Sequence, residues 1–403
     1  MKIAKIESIP LRIPFTTGGP SDAGAWGKAG LQTVDSLIVA VTTDTGIVGW
    51  GETFGFTAIP AVKVFIDAIL APECIGRDVA QRAKLMRDLQ TKFHIFGRSG
   101  APIYGLSAID IALWDIAGKV ANQSVHQLLG GADAIALPAY ASLTRYGNPE
   151  LVGENVRRAL RSGYRRLKLH EIDIDCVCAA REAAGDDVEI MLDVNCPWSV
   201  REALETTRKL RPFNLKWLEE PVWPPENYAG LARVRRDGGI PVAAGENAST
   251  LMDFQHLLEA NAVDFIQPSP AKMGGLTEIS RVVALANAHN TTVMVHTFYD
   301  GPGLLAAIHA SAAFGGAGAY VEWRYFDLEA QLYGDAVIPK NGAMPVPQGP
   351  LIRSGSRRRF SPFLRPVGIV LHHVVAVSCV SSGRPAAALS WINRFSWFRF
   401  PPK

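Results

Sequence analysis

Cysteine is scarce, with five in 403 residues, an odd number spread over Cys74, Cys176, Cys178, Cys196 and Cys379. That count excludes a disulfide framework and suits a reducing compartment, so the five read as free thiols. Cys176 and Cys178 stand one residue apart with no second pair, which argues against a zinc site. Long apolar runs are missing as well. No stretch reaches the roughly 18 apolar residues of a membrane span, and the opening MKIAKIESIPLRIP lacks the unbroken apolar core of a signal peptide. The cytoplasm is the expected location, and no membrane is expected as a partner. Acidic residues are absent from the end of the chain: from Leu351 onward there are eight Arg and one Lys and no Asp or Glu. The formal net charge is +3, so subtracting the tail's +9 leaves −6 for residues 1 to 350. A mildly acidic body gives no reason to expect nucleic acid as its partner.

What is present is enough apolar sequence, 48% of the chain, to bury more than one core. Residues 1–132 read as an α+β domain. Within them VDSLIVAVTT and IVGWGE flank Asp44-Thr45-Gly46, a hairpin signal. YGLSAIDIALWDIAGKV carries Leu106, Ile109, Ile111, Leu113, Trp114, Ile116 and Ala117 on a wide face at helical spacing, and Gly130-Gly131 stops the next helix. Residues 133–350 change to short apolar strands alternating with helical segments, the signature of parallel β/α units. The polar residues that end the strands are Lys168, Asp193, Glu219, Glu246, Ser269, His296 and Glu322, separated by 25, 26, 27, 23, 27 and 26 positions. So regular a repeat predicts a β/α barrel, whose active site lies at the C-terminal strand ends, where these residues stand.

Asp193, Glu219 and Glu246 end successive strands and should be neighbours, and three close carboxylates repel unless a cation neutralises them. All-oxygen donors favour Mg²⁺; salt bridges to Lys168 and Lys272 are the alternative. Lys168 and His170 are two apart on their strand and so face the same way, flanking the acidic trio on one side, with His296 on the other. This arrangement suits removal of a proton next to a carboxylate, with a metal stabilising the enediolate and a lysine or histidine as base.

The set KLH, LDVN, WLEEP, AGEN, PSPAKMGG and VHT, preceded by SAIDIALWDIAGK and LLGG, resembles the enolase superfamily in its mandelate racemase and muconate lactonizing enzyme group, over about residues 2 to 350. The resemblance implies an N-terminal α+β capping domain, which also takes up the end of the chain, on a modified (β/α)7β barrel. It matches Asp193, Glu219 and Glu246 to Mg²⁺ ligands, Lys168 to the first lysine of a KxK motif that contacts the substrate carboxylate or tunes the base, and His170 to the second lysine, the usual base. It matches His296 to the opposite base, Glu322 to a carboxylate that donates a proton or hydrogen bond to substrate, and Asn195 and Asn247 to polar positions beside the metal. Two positions depart from that pattern. Ser269 stands where an aspartate would support His296, so nothing negative is expected to favour that ring's charged form, and His170 replaces lysine with a base whose ordinary pKa is near neutrality.

Specificity is expected from loops at about 15–30 and 52–60, with Trp26, Phe54 and Phe56 as walls and Lys28 as an anion contact. From 351 to 403 a basic and apolar tail, with Arg357-Arg358-Arg359 and VGIVLHHVVAVSCV, replaces the ending that the resemblance implies. It reads as something other than the family's ordinary C-terminus, as an altered reading frame would produce, and is expected to be poorly ordered or packed in an unusual way. The expected activity is dehydration of a sugar acid; an epimerase or racemase, a lactone cycloisomerase, and a Mg²⁺ and acid-binding homologue without turnover are the alternatives. The expected partner is a small-molecule carboxylic acid, taken up by a homo-oligomer.

Overall fold

The structure is a computed structural model that describes residues 1–19, 32–131 and 134–349. Trp26, Lys28 and the tail 351–403 lie outside the described residues. Strand β1 (Ile3–Thr16) pairs antiparallel with β2 (Thr33–Thr43), and β2 with β3 (Val48–Thr53). The hairpin falls where Asp44-Thr45-Gly46 predicts it, closed by Gly46 N–H donating to the Thr43 carbonyl at 3.0 Å.

The helix Ala101–Ala121 lies on this sheet and is buried on nearly every side, as its almost continuous apolar sequence requires. Gly51 permits the close approach, since a Cβ there would fall 1.8 Å from the Ala108 carbonyl oxygen. The polar residues of the helix form a separate stripe at helical spacing. Ser107 Oγ accepts from Gly274 N–H at 2.8 Å; Asp110 accepts from Thr277 N–H at 2.9 Å and Thr277 Oγ at 2.6 Å; Trp114 Nε1 donates to Thr277 Oγ at 3.0 Å. These groups satisfy donors at the start of the helix Gly275–Ala288, which otherwise have no partner inside that helix. One motif thus clasps the N-terminal sheet domain to the rest of the chain, and burial pushes the Asp110 carboxyl up to about 7.

The parallel array comprises β4 (Ala136–Ser142), β5 (Arg166–Leu169), β6 (Glu189–Asp193), β7 (Leu215–Glu219), β8 (Val242–Ala244), β9 (Phe265–Ile266), β10 (Thr292–Val293) and β11 (Val321–Arg324). Its hydrogen-bonded order is β10-β9-β8-β7-β6-β5-β4-β11. Among the described residues no ladder joins β10 to β11. The gap is bridged instead by Thr297 N–H, which donates to Glu322 Oε2 at 3.2 Å. Strand β12 (Asp327–Leu328) returns to pair with β1, and β13 (Ala343–Pro345) adds antiparallel to β4.

Alternation along the strands sorts the interior into layers. Leu167, Leu169, Ile190, Leu192, Leu218 and Val321 face the surrounding helices. Tyr140, Met191, Trp217, Ala243 and Met294 fill the middle of the barrel. Above that apolar floor stand the polar strand-end residues. No helix among the described residues is long and apolar enough to cross a membrane.

Candidate active site

The strand ends bring Asp193, Glu219 and Glu246 together, with one carboxylate oxygen of each within 4.8 Å of the others. Lys168 is 1% exposed and sits among them, its Nζ 3.3 Å from Asp193, 3.1 Å from Glu219 and 2.8 Å from Glu322. Lys272 lies 3.5 Å from Glu246. The salt bridges anticipated from the sequence are therefore present. Five carboxylates, Glu220 included, crowd a region that holds two lysines. Burial resists charge on all of them, and the neighbours decide the outcome. Lys168 overcomes burial at Asp193 and lowers it to about 2. At Glu219 burial and the charge of Asp193 prevail and raise it to about 7. Trp217, two residues before Glu219 and on the same face of β7, donates Nε1–H to Glu219 Oε2 at 2.9 Å, so the floor orients one carboxylate of the trio.

Lys168 and His170 do share a face, and both line the cleft with Phe54, Phe56, Asp193, Asn195, Glu246, His296, Phe298 and Glu322. His170 Nδ1 lies 2.5 Å from the Leu143 carbonyl oxygen, which can only accept. That contact assigns a proton to Nδ1; Nε2 faces Asp193 at 3.3 Å, donating to it when the ring is charged and serving as the basic nitrogen when the ring is neutral. Burial opposes charge on this ring, but Asp193 outweighs it and raises His170 above the ordinary histidine value.

His296 has the opposite assignment. Its Nε2 lies 2.8 Å from Glu246 Oε2, an acceptor, and its Nδ1 lies 3.0 Å from Ser269 Oγ. The expectation that nothing negative stands near His296 is corrected here. The Nδ1 side is neutral, as Ser269 implies, yet Glu246 faces Nε2, because the segments that follow β8 and β10 bring both side chains into one cleft.

Asn195 adjoins the cleft, but its side chain is committed, with Nδ2 donating to Asp193 Oδ1 at 2.9 Å. Asn247 likewise donates to Glu220 at 2.8 Å. Phe54 packs edge-on against Phe56 at 4.8 Å and carries Lys272 Nζ 4.6 Å over its ring. Four neighbours carried no recognisable sequence signal as site residues. Arg145 Nε donates to the His170 carbonyl at 2.5 Å, and Phe298 walls the cleft. Tyr299 hydrogen-bonds Ser269. Glu52 accepts from Gly301 and Gly303 N–H, both at 2.9 Å, at the start of the helix Pro302–Phe314. Trp217 alone could have been found by stepping back two residues from Glu219.

A family model described as mandelate racemase / muconate lactonizing enzyme, N-terminal domain matches residues 26–130, and one described as enolase C-terminal domain-like matches 151–350. The chain belongs to the mandelate racemase and muconate lactonizing enzyme group of the enolase superfamily. Three curated relatives from this superfamily are enzymes of sugar-acid chemistry. A 3,6-anhydro-alpha-L-galactonate cycloisomerase of Streptomyces coelicolor is 31% identical, over 86% of this chain and 95% of its own. A D-galactarolactone cycloisomerase of Agrobacterium fabrum is 33% identical, over 78% and 87%. An arabinonate dehydratase of Saccharolobus solfataricus is 29% identical, over 79% and 87%. Among solved structures, a racemase from Streptomyces coelicolor A3(2) with bound magnesium superposes with a TM-score of 0.75 at 29% identity, covering 86% of this chain and 95% of that one.

Proposed function

We propose that this chain is a Mg²⁺-dependent enzyme that removes the proton α to the carboxylate of a sugar acid and expels an oxygen from the adjacent carbon, with residues 1–132 as cap and 133–350 as catalytic barrel. The observation that carries this reading is the pair of histidines facing one cleft with different ring contacts, His170 Nδ1 on a carbonyl and His296 between Ser269 and Glu246, from which we assign His170 Nε2 as the base and His296 Nε2–H as the acid.

The donor set fits the metal. Three hard carboxylate oxygens, with no cysteine or histidine among them, suit Mg²⁺. The excess of carboxylates over lysines around them is the charge that a divalent cation would offset. Asp193, Glu219 and Glu246 would hold the ion, with Asn195 and Asn247 steadying Asp193 and the neighbouring Glu220. When bound, it would supply positive charge for the substrate carboxylate as the enediolate forms.

The chain's own groups do the rest. His170 Nε2 takes the α-proton, while Nδ1–H on the Leu143 carbonyl holds the ring at its angle. Lys168 keeps Asp193 and Glu322 charged, holds Glu219 in place, and with Glu322 meets the substrate's polar end. His296, whose Nε2 faces Glu246 at 2.8 Å, is the group assigned to protonate the departing oxygen. Phe54, Phe56 and Phe298 exclude water from the reacting face.

Dehydration follows when the departing oxygen is a hydroxyl. When it belongs to a ring of the substrate the same pair performs a cycloisomerisation, a reading favoured by the two relatives above 30% identity. Racemisation fits less well, because it needs a base on both faces and His296 has no carboxylate on Nδ1.

The test is incubation with Mg²⁺ and a panel of sugar acids and their lactones in D₂O. Keto-acid release is expected, with loss of about 10²–10⁴-fold in His170→Gln, the contribution typical of a general base. Full activity in His170→Gln would overturn the base assignment. Ligand binding without release or α-deuteration on any panel member would instead favour a binding protein.

A further inference from the structure

We propose that Tyr299 is a positioning residue of this cleft, which acts through Ser269 to fix the proton of His296 on Nε2 and so makes that ring a proton donor. The inference rests on the reading above in one respect, that His296 delivers a proton to the substrate.

Ser269, Tyr299 and His296 form a buried chain, 0%, 5% and 3% exposed. Ser269 Oγ is hydrogen-bonded to Tyr299 Oη on one side and lies 3.0 Å from His296 Nδ1 on the other. A serine hydroxyl has one proton, so it can donate to only one of these neighbours. Suppose it donated to Tyr299. The phenol hydrogen would then need another acceptor, and no other partner of Tyr299 Oη occurs among the described residues. A neutral His296 would also have to donate from Nδ1, leaving a bare Nε2 2.8 Å from the Glu246 carboxylate, acceptor against acceptor. A charged His296 relieves that clash but still donates from Nδ1 and strands the phenol hydrogen.

The reverse order, Tyr299 to Ser269 to His296 Nδ1, gives every hydrogen an acceptor and places the imidazole proton on Nε2, where Glu246 receives it. The phenol at the far end of the chain therefore selects the Nε2–H tautomer. The phenol is held ready to donate, because burial pushes Tyr299 well above the usual tyrosine value. Its ring has little room to turn away. It stands edge-on to Phe54 at 6.5 Å and to His296 at 6.4 Å, and a Cβ on Gly303 would fall 2.9 Å from its Cγ.

A carboxylate at position 269 would do the opposite, since it can only accept and would draw the proton to Nδ1, leaving Nε2 as a base. The serine and tyrosine together convert that position from base support to acid support.

The experiment is nitrogen-15 NMR of the full chain, labelled at histidine, with Mg²⁺ present. The ring shifts and couplings report which nitrogen carries the proton, and His296→Gln identifies the signal. The wild type is expected to show the Nε2–H pattern. Tyr299→Phe, which removes one oxygen, and Ser269→Ala are both expected to move the two shifts toward an average of the tautomers. In Tyr299→Phe turnover should fall about tenfold at unchanged KM, the effect of one net hydrogen bond, while exchange of the substrate α-proton with D₂O persists. An Nδ1–H pattern in the wild type, or signals unmoved in both variants, would overturn the proposal. Shifts that move while turnover stays level uphold the positioning of His296 and overturn its role as donor.

Discussion

Replacing Lys168 by Met should destabilise the metal-free protein by about 3–5 kcal/mol, the usual cost of removing one partner from a buried ionic cluster. Methionine preserves most of the apolar stem, so the substitution isolates the ammonium. That ammonium stands within 3.3 Å of three carboxylates, Asp193, Glu219 and Glu322, at a position 1% exposed to solvent. Without it each carboxylate keeps its desolvation cost and loses its nearest cation. The size of the loss should depend on pH in a stated direction. Glu219 is already raised to about 7 by burial and Asp193, so below that value it takes up a proton and the cluster needs the lysine less. The deficit should therefore shrink as pH falls through about 7. Mg²⁺ gives a second handle. At a free concentration of about a hundred times Kd it should stabilise the wild type by about 2.7 kcal/mol, and the variant by more, because its carboxylates lack a competing cation. Urea denaturation of both proteins, with and without Mg²⁺ and across pH, measures all of these quantities. A loss below about 1 kcal/mol, against the 3–5 expected for a buried pair, would refute the reasoning, as would a Mg²⁺ effect smaller in the variant than in the wild type.

Mg²⁺ affinity of the wild type should tighten from about pH 6 to about pH 8, because metal binding must displace the proton that Glu219 holds below its value of about 7; calorimetry in buffers of different ionisation enthalpy would show proton release below that value. At the clasp, Asp110 has a folded-state value of about 7 against an ordinary 3.8. A raised carboxyl contributes stability at low pH that is lost as pH rises through the folded value. The stability of wild type relative to Asp110→Asn should accordingly fall by about 2–3 kcal/mol between about pH 5 and about pH 8, and a difference independent of pH in paired denaturation curves would show that Asp110 does not hold a raised proton in the folded protein.

Most of the frame was legible because it is periodic. The 23 to 27 residue spacing from Lys168 to Glu322 predicts where each strand ends, and period-two alternation puts Lys168 with His170 and Leu169 behind them. The trio Asp193, Glu219 and Glu246 follows from those two rules, and the structure does bring it together. What lay hidden depends on contacts that no period encodes. Tyr299 lies in the loop after β10, where spacing carries no information, and its value to the site comes from a serine thirty residues earlier. Glu246 against His296 is a meeting of strands two apart in the array, so reasoning from the immediate neighbour, Ser269, missed the charge on the far side of the ring. The clasp was half visible: the apolar face of SAIDIALWDIAGK announced a buried helix, but the polar stripe Ser107, Asp110 and Trp114 showed its purpose only once the helix Gly275–Ala288 was seen against it.

Glu322 is both a rim carboxylate and the acceptor that ties the loop after β10 to β11, across the seam that backbone ladders leave open among the described residues. Its neighbours on the rim are not tied down in that way. Positions 170 and 269 follow strands whose registers are set by main-chain pairing on both sides, through β4 and β6 for one and through β8 and β10 for the other. Those two are the places where this chain departs from the lysine and aspartate that the family resemblance leads one to expect. A lineage exploring new substrates can therefore exchange side chains at the ladder-held ends without opening the barrel, whereas change at 322 would have to rebuild the seam at the same step. What holds each strand thus differs around the rim: main-chain pairing on both sides at the ends that carry His170 and Ser269, and a side chain, Glu322, at the seam.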